Sequence, residues 1–600
     1  MALPLRKDVP LEQTWNVNDL YPTKKAWSND LRNTEILVTN FKTKYTNSLT
    51  TPKDFKVALE DYATIQKHLE WLEHFAFLQQ SVDMTNPEAN QLLRTFSNFA
   101  AQISAQLTFF KTVALEKTPT FLDEIATLSP QFKPVIREWK NAQKHQLAPE
   151  VETLLASLEP IFNQPENIYT QARAADFKFP DFQVAGKNYP LSFVTYENSY
   201  QFSPNHTVRR AAFKNFSNVL NNYKNTLAAN YYAQVLREKK IATLRGYSSV
   251  IDYLLADQEV SRDLFDRQID TIIAQLGPVM QKYVKLIQKQ RHLSEMTFAD
   301  LQIDLDPDFS PKIPLDQAPK YISDALQILG TNYQEMILQA FSKRWVDFPT
   351  NKGKESGGFE TTPYGSHPYI LMSWSNELAD VYTLVHELGH AGQALLTQQQ
   401  QNILVSEPSL YIVEAPSTFN ELLLTHSIEQ KSTDKRMQRF AYTKMLTNTY
   451  YHNFVTHLLE AAFQREVYTL IDAGQGFDGD KLCAIKKSIL QRFWGDAVKI
   501  DDNAALTWMR QSHYYMGLYS YSYSASLTIA TQAFLKLLAN PTKGVANWLA
   551  FLKLGNQKTP LEAAKVAGVD VSTKKPLEET IAFLDSIVDK IILLTNQLEG

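Results

Sequence analysis

His386, Glu387 and His390 stand in the stretch Leu384-Val385-His386-Glu387-Leu388-Gly389-His390. Two histidines four apart on a helix present their imidazoles to one side, so both can hold a single metal ion. The glutamate between them then lies beside the open coordination position, where it can take a proton from a water activated by the metal. The bland alternative is a surface helix that carries two histidines and an acid by accident. Its neighbours argue against that: Val381, Leu384, Val385 and Leu388 give the helix apolar flanks, and buried histidines need partners. Ser375 reads as the N-cap, with Glu377 and Asp380 in the first turns, and the helix is expected to fade between Gly392 and Thr397.

A catalytic zinc site takes a third protein ligand. Downstream comes Val413-Glu414-Ala415-Pro416-Ser417-Thr418-Phe419-Asn420-Glu421, in which Pro416 and Ser417 mark a helix start. Glu414 and Glu421 are seven apart and share a face, two turns from one another. Glu414 is the natural third ligand. Glu421 could accept a hydrogen bond from the other nitrogen of a ligand histidine, or be an ordinary solvated acid.

His386-Glu387-Leu388-Gly389-His390 followed by Glu414-Ala415-Pro416-Ser417 resembles the thimet oligopeptidase-like family of zinc metallopeptidases, and more closely its oligoendopeptidase F branch. Thr14 to Tyr21, Arg245 to Ser249, Phe551 to Gly555 and Ala567 to Asp570 resemble that branch at its opening, middle and end. The resemblance implies a mostly α-helical, roughly ellipsoidal body around a deep substrate channel, with zinc on the channel floor and a few short strands near it. It also implies one Zn²⁺ per chain, held by His386, His390 and Glu414, and cleavage of internal bonds in short, unstructured peptides with Glu387 as general base.

A second chemical stretch runs from Trp508 through His513, Tyr514, Tyr515, Tyr519, Tyr521 and Tyr523. On a continuous helix Tyr515, Tyr519 and Tyr523 would form one stripe with Tyr521 roughly opposite. Such a stripe can be plain aromatic core. Hydroxyl and imidazole donors can also hold the oxyanion of amide hydrolysis. Relatives place a histidine and tyrosines of a matching segment at the catalytic cleft. The resemblance therefore implies His513 as a substrate or oxyanion donor. Among the tyrosines, Tyr519 and Tyr523 come first as catalytic groups, with Tyr515 and Tyr521 as substrate-binding residues.

The rest of the chain must position these groups. Residues 11 to 160 read as helices interrupted at Thr51-Pro52, Asn86-Pro87 and Ser129-Pro130. Phe182 to Phe193 reads as a β-hairpin. That puts the boundary between an N-terminal region, 1–195, and a catalytic domain, 196–600, near residue 195. Pro368 to Trp374 reads as a strand leading into the metal helix. It could pair with an extended substrate, with Tyr369 in contact with the peptide, or be a buried strand with no such role. His68, His74, His145, His426, His452 and His457 read as structural.

Composition excludes other classes. A net charge of −4 gives no pull toward nucleic acid or an anionic membrane. One cysteine, Cys483, allows neither an internal disulfide nor a multi-thiolate metal site. No apolar run is long enough for a membrane span, and the first ten residues lack the apolar core of a signal peptide, so the expected location is cytoplasmic. Three alternatives stay open: a dipeptidyl carboxypeptidase, a carboxypeptidase on the same scaffold, and a peptide-binding protein without turnover. The exopeptidases would need a cation for the substrate's free carboxylate, and Arg510 is the obvious one near the second stretch. Oligomeric state is not legible.

Overall fold

Thr51-Pro52 and Asn86-Pro87 each open a helix. Proline is tolerated at the first helical position, where its missing N–H has no intrahelical partner. Thr51 and Asp54 form a capping box at the head of Pro52–Ser81, and the Asn86 side chain accepts from the amides of Glu88 and Ala89 ahead of Pro87–Leu115. A computed structural model describes residues 3–599. It is mostly helical, with a few short strands.

Backbone contacts divide the chain into two compact units, each built from three stretches. One holds the chain up to Gln146, Pro311–Ser427 and Ala533–Val569. The other holds Leu147–Ser310, Ile428–Gln532 and the chain from Asp570. The expected boundary near residue 195 thus falls inside the second unit. Local pattern cannot reveal this, because each unit is closed by helices returning from far along the sequence.

In the first unit, Lys24–Tyr45, Pro52–Ser81, Pro87–Leu115 and Lys133–Gln143 pack around Phe41, Phe55, Phe110 and Trp139. A three-stranded sheet lies in the same unit. Tyr369–Leu371 is its central strand, parallel to Val346–Asp347 and antiparallel to Phe359–Thr361. In the second unit, the 39-residue helix His206–Leu244 is joined by Arg262–Gln290, His457–Asp472 and Gly479–Trp494. The hairpin pairs Phe182–Val184 with Lys187–Tyr189 through Ala185 and Gly186, both at positive φ. Two such residues make the turn whose twist suits a two-residue hairpin. Among the described residues no helix is long and apolar enough to cross a membrane.

Candidate active site

The metal-motif helix is Leu378–Gln398, one residue longer than the sequence suggests. Its N-cap is Glu377, in a capping box with Asp380, rather than Ser375. Ser375 serves the same end from further out: its amide and hydroxyl both donate to the Asp380 carboxylate, at 2.7 and 3.0 Å. Asn376, at φ 62°, makes the bend between them. Val381, Leu384, Val385 and Leu388 are fully buried, as the apolar flanks predict. Gly389 is required by packing. A Cβ there would stand 2.5 Å from the Pro416 carbonyl oxygen and 2.6 Å from Ser417 Cα. The helix Ala415–Lys431 therefore approaches backbone to backbone, and Asn420 secures the contact by donating to the Val385 carbonyl at 3.1 Å.

This approach delivers Glu414. Its Oε2 lies 3.4 Å from His386 Nε2 and 3.3 Å from His390 Nε2. Four-coordinate zinc with bonds of about 2.0–2.1 Å sets its ligand atoms about 3.3–3.4 Å apart, so two imidazoles and a carboxylate at these spacings fit that ion. Ser417 donates to Glu414 Oε2 at 3.0 Å and holds the carboxylate in place. Glu421 Oε1 sits 2.6 Å from His386 Nδ1. Burial works against charge throughout the site, yet neighbours overcome it. Glu414 is held well below the usual carboxylate range by His390 and His386, and His386 stands well above the usual imidazole range beside Glu414 and Glu421. Both directions come from the same mutual attraction between the imidazoles and the carboxylates. Glu387 differs: burial is the largest influence and pushes its pKa up, against the pull of His386 and His390.

A cavity of about 450 Å³ opens on this group and is lined by His386, Glu387, His390 and Glu414. Phe359–Thr361 also lines it, and this strand pairs on one side only. The strand expected to meet substrate, Tyr369–Leu371, is central and paired on both sides, so it has no edge to offer a peptide. Tyr369 itself is fully buried among Trp15 and its neighbours. Of the sheet's two edge strands, the one that lines the cavity is Phe359–Thr361. His74, read as structural, faces the same cavity, with Nε2 2.7 Å from Thr361 Oγ1. Its place midway along a long helix carried no signal of this.

Residues 199–583 match the profile described as Peptidase family M3, and residues 123–179 match that of Oligopeptidase F. The chain belongs to peptidase family M3. It is 26% identical over 596 residues to Oligopeptidase PepF of Bacillus subtilis, covering 98% of this chain and 88% of that protein. It is 25% identical over 591 residues to an oligoendopeptidase F homolog of Borreliella burgdorferi, covering 98% and 99%. A crystal structure from Chlamydophila abortus superimposes with a TM-score of 0.87 at 22% identity, covering 99% of this chain and 100% of that one. That of oligoendopeptidase-F from Enterococcus faecium gives 0.74 at 20%, covering 96% and 99%. This M3 peptidase is a metallo-oligopeptidase by family.

The tyrosine stretch of the peptidase lies in the second unit and is not one helix. Short turns span Leu506–Arg510 and Ser512–Tyr515, and the helix Ser520–Ala539 begins only after Gly517, at φ 63°. The expected single stripe is therefore broken. Tyr519 and Tyr523 flank His513, with ring centroids 5.8 and 5.9 Å from it and 5.1 Å from each other. Tyr515 stacks on Tyr169 at 5.1 Å, and its hydroxyl accepts from Asn230 at 3.1 Å. Tyr521 is fully buried and donates to Gln258 at 2.6 Å, a core position with no surface for a substrate. Arg510 is already paired with Glu197 at 3.0 Å. His452 and His457, read as structural, gather here. His457 stacks on Tyr523 at 4.2 Å and meets the ring of His513 edge-on at 4.7 Å. The π-helical run Met445–Thr456, which departs from 3.6-residue periodicity, concealed that grouping.

Proposed function

We propose that this M3 peptidase is a zinc-dependent endopeptidase that hydrolyses internal bonds of short, unstructured peptides. The observation that carries the reading is the meeting of Glu414 Oε2 with both histidine Nε2 atoms at 3.3 and 3.4 Å, with Glu387 lining the same cavity. His386, His390 and Glu414 would hold one Zn²⁺. When bound, zinc polarises the scissile carbonyl and makes a water nucleophilic at neutral pH. Glu387 takes the proton of the attacking water and passes it to the leaving amine; burial raises its pKa, which suits a carboxyl that must both accept and give a proton. Glu421 fixes the ring of His386 through Nδ1. His513, with Tyr519 or Tyr523, donates hydrogen bonds to the negative charge that develops on the carbonyl oxygen.

Internal cleavage is supported by the one-sided strand Phe359–Thr361, whose edge can bind any extended backbone by main-chain hydrogen bonds. The engagement of Arg510 by Glu197 argues against its serving a free C-terminal carboxylate. A single cysteine suits a cytoplasmic, reducing compartment. The test is a peptide acetylated at one end and amidated at the other, followed by mass spectrometry with and without chelator. An N-acetylated and a C-amidated fragment from one internal cut, lost on chelation and restored by zinc, are expected. An uncut blocked peptide beside a trimmed free one would sink the endopeptidase reading.

A further inference from the structure

Glu460 sits on the helix His457–Asp472 and is fully buried, yet no step above uses it. One of its oxygens, Oε2, is a hub. It lies 2.8 Å from His457 Nδ1, accepts from Ser520 Oγ at 3.1 Å, and lies 3.4 Å from His513 Nδ1. Its other oxygen, Oε1, has no hydrogen-bond partner among the described residues. A buried carboxylate with one oxygen unused is costly for the fold, and such groups persist where they serve a function. Burial opposes its charge, but His457 and His513 hold its carboxyl far below the usual range, so it is ionised.

An ionised carboxylate only accepts hydrogen bonds. His457 must therefore carry its hydrogen on Nδ1. Its Nε2 lies 2.9 Å from His452 Nε2. His457 is thereby fixed in one orientation, and its ring packs edge-on against His513. On the other side of Oε2, His513 Nδ1 stands at an ion-pair distance rather than in a formed hydrogen bond. Catalytic contacts of this kind tighten when substrate is bound. With Nδ1 facing the carboxylate, the far nitrogen of His513 is turned away from it; to donate from there the ring must carry a hydrogen on both nitrogens, and the ionised Glu460 offsets the positive charge this gives it.

We propose that Glu460 is a positioning residue that fixes the orientation and proton placement of His513 for transition-state binding. This rests on the reading of His513 as an oxyanion donor. Glu421 behind His386 and Glu460 behind His513 are both buried carboxylates facing Nδ1, but to different ends: the first leaves Nε2 a lone pair for a metal, and the second offsets the charge of a ring that donates from Nε2.

The test is a double-mutant cycle on the zinc-loaded full chain with a blocked peptide. Glu460→Gln is nearly isosteric. It should lower kcat about 10- to 100-fold, the usual effect of losing a carboxylate behind a functional histidine, with little change in KM. Metal content should stay at the wild-type value. In a His513→Ala background the same change should add almost nothing, because the group it acts through is gone. Additive losses in the two backgrounds, or wild-type kcat for Glu460→Gln beside a slow His513→Ala, would overturn the proposal. So would loss of bound metal from Glu460→Gln, since that would make His457, Glu460 and His513 a metal site. If His513→Ala keeps normal kcat, the oxyanion reading itself has failed and this proposal falls with it, whatever Glu460→Gln does. Should Glu460→Gln not fold, Ser520→Ala removes one hydrogen bond to the same oxygen. It should lower kcat roughly two- to tenfold, and only when His513 is present. No change in kcat would overturn the proposal.

Discussion

Glu421 Oε1 stands 2.6 Å from Nδ1 of His386, the only nitrogen of that ring not turned toward Glu414. A carboxylate accepts, so Nδ1 carries the hydrogen and Nε2 keeps its lone pair for a metal. Glu421→Ala should therefore weaken zinc binding about 10- to 100-fold, while kcat at saturating zinc changes far less. Competition with a coloured chelator measures the first and steady-state kinetics the second. Unchanged zinc affinity would reduce Glu421 to a packing residue.

Gly389 controls the site from the opposite side. A methyl group there would meet Pro416 and Ser417 backbone at 2.5 to 2.6 Å, closer than any real side-chain contact. Gly389→Ala must push Ala415–Lys431 away and carry Glu414 with it. We expect weaker zinc binding and a lower melting temperature together. Full zinc affinity in a stable Gly389→Ala protein would show that the two helices can separate without moving the ligand.

Glu387 and Glu414 line one cavity, and their variants should separate the two roles proposed for them. Glu387→Gln keeps shape but cannot accept a proton, so turnover should fall by orders of magnitude with zinc retained. Glu414→Ala should lose the zinc itself. Elemental analysis beside kinetics distinguishes these results. Near-normal turnover of Glu387→Gln would remove it as the base.

Glu70 offers a test by pH. Burial is the largest cause that lifts its carboxyl from 4.5 to about 7, although the Tyr364 amide donates to it. The folded protein thus holds this proton more tightly than the unfolded chain. The sign follows: between about pH 4.5 and 7 the folded state binds the extra proton, and stability at this position declines as pH rises through that window. Glu70→Gln retains an acceptor for Tyr364 and cannot ionise. Its melting temperature should fall less than the wild type's between pH 5 and pH 8. Parallel curves would show that Glu70 is not destabilised by its charge.

The candidate metal-holding group of His386, His390 and Glu414 was legible because its chemistry is local. His386 and His390 are one helical turn apart, and Glu414 stands at the start of a helix marked by Pro416 and Ser417, so the candidates could be named from sequence; the close approach at Gly389 that brings them together could not. The proline-marked helix starts were legible for the same reason. Tyr369 and the stripe of Tyr515, Tyr519 and Tyr523 were not. Which strand is central depends on pairing among segments up to 25 residues apart, from Val346 to Leu371. The tyrosine stripe presumed a helix that Gly517 interrupts. The family resemblance, not periodicity, singled out His513, and neither sequence spacing nor resemblance placed Glu460 behind it.

The tyrosines are separable by what their hydroxyls do. Tyr521 is fully buried and donates to Gln258, so Tyr521→Phe should lower stability by about 1 kcal/mol and leave kcat near normal. Tyr519 and Tyr523 bracket His513 instead, with the three rings within 5.9 Å of one another. If one of these hydroxyls holds the developing oxyanion, its bond strengthens as charge accumulates. Losing it should then lower kcat more than it raises KM. The expected loss for a donor of this kind is about 10²- to 10³-fold, with zinc content and melting temperature close to wild type. Replacing tyrosine by phenylalanine keeps each ring and its stacking, so a packing role predicts the opposite pattern. We expect Tyr519→Phe or Tyr523→Phe to show the kinetic loss and Tyr521→Phe to show only the stability loss. If both Tyr519→Phe and Tyr523→Phe turn over normally, these rings only pack against His513, and no tyrosine of this stretch holds the oxyanion.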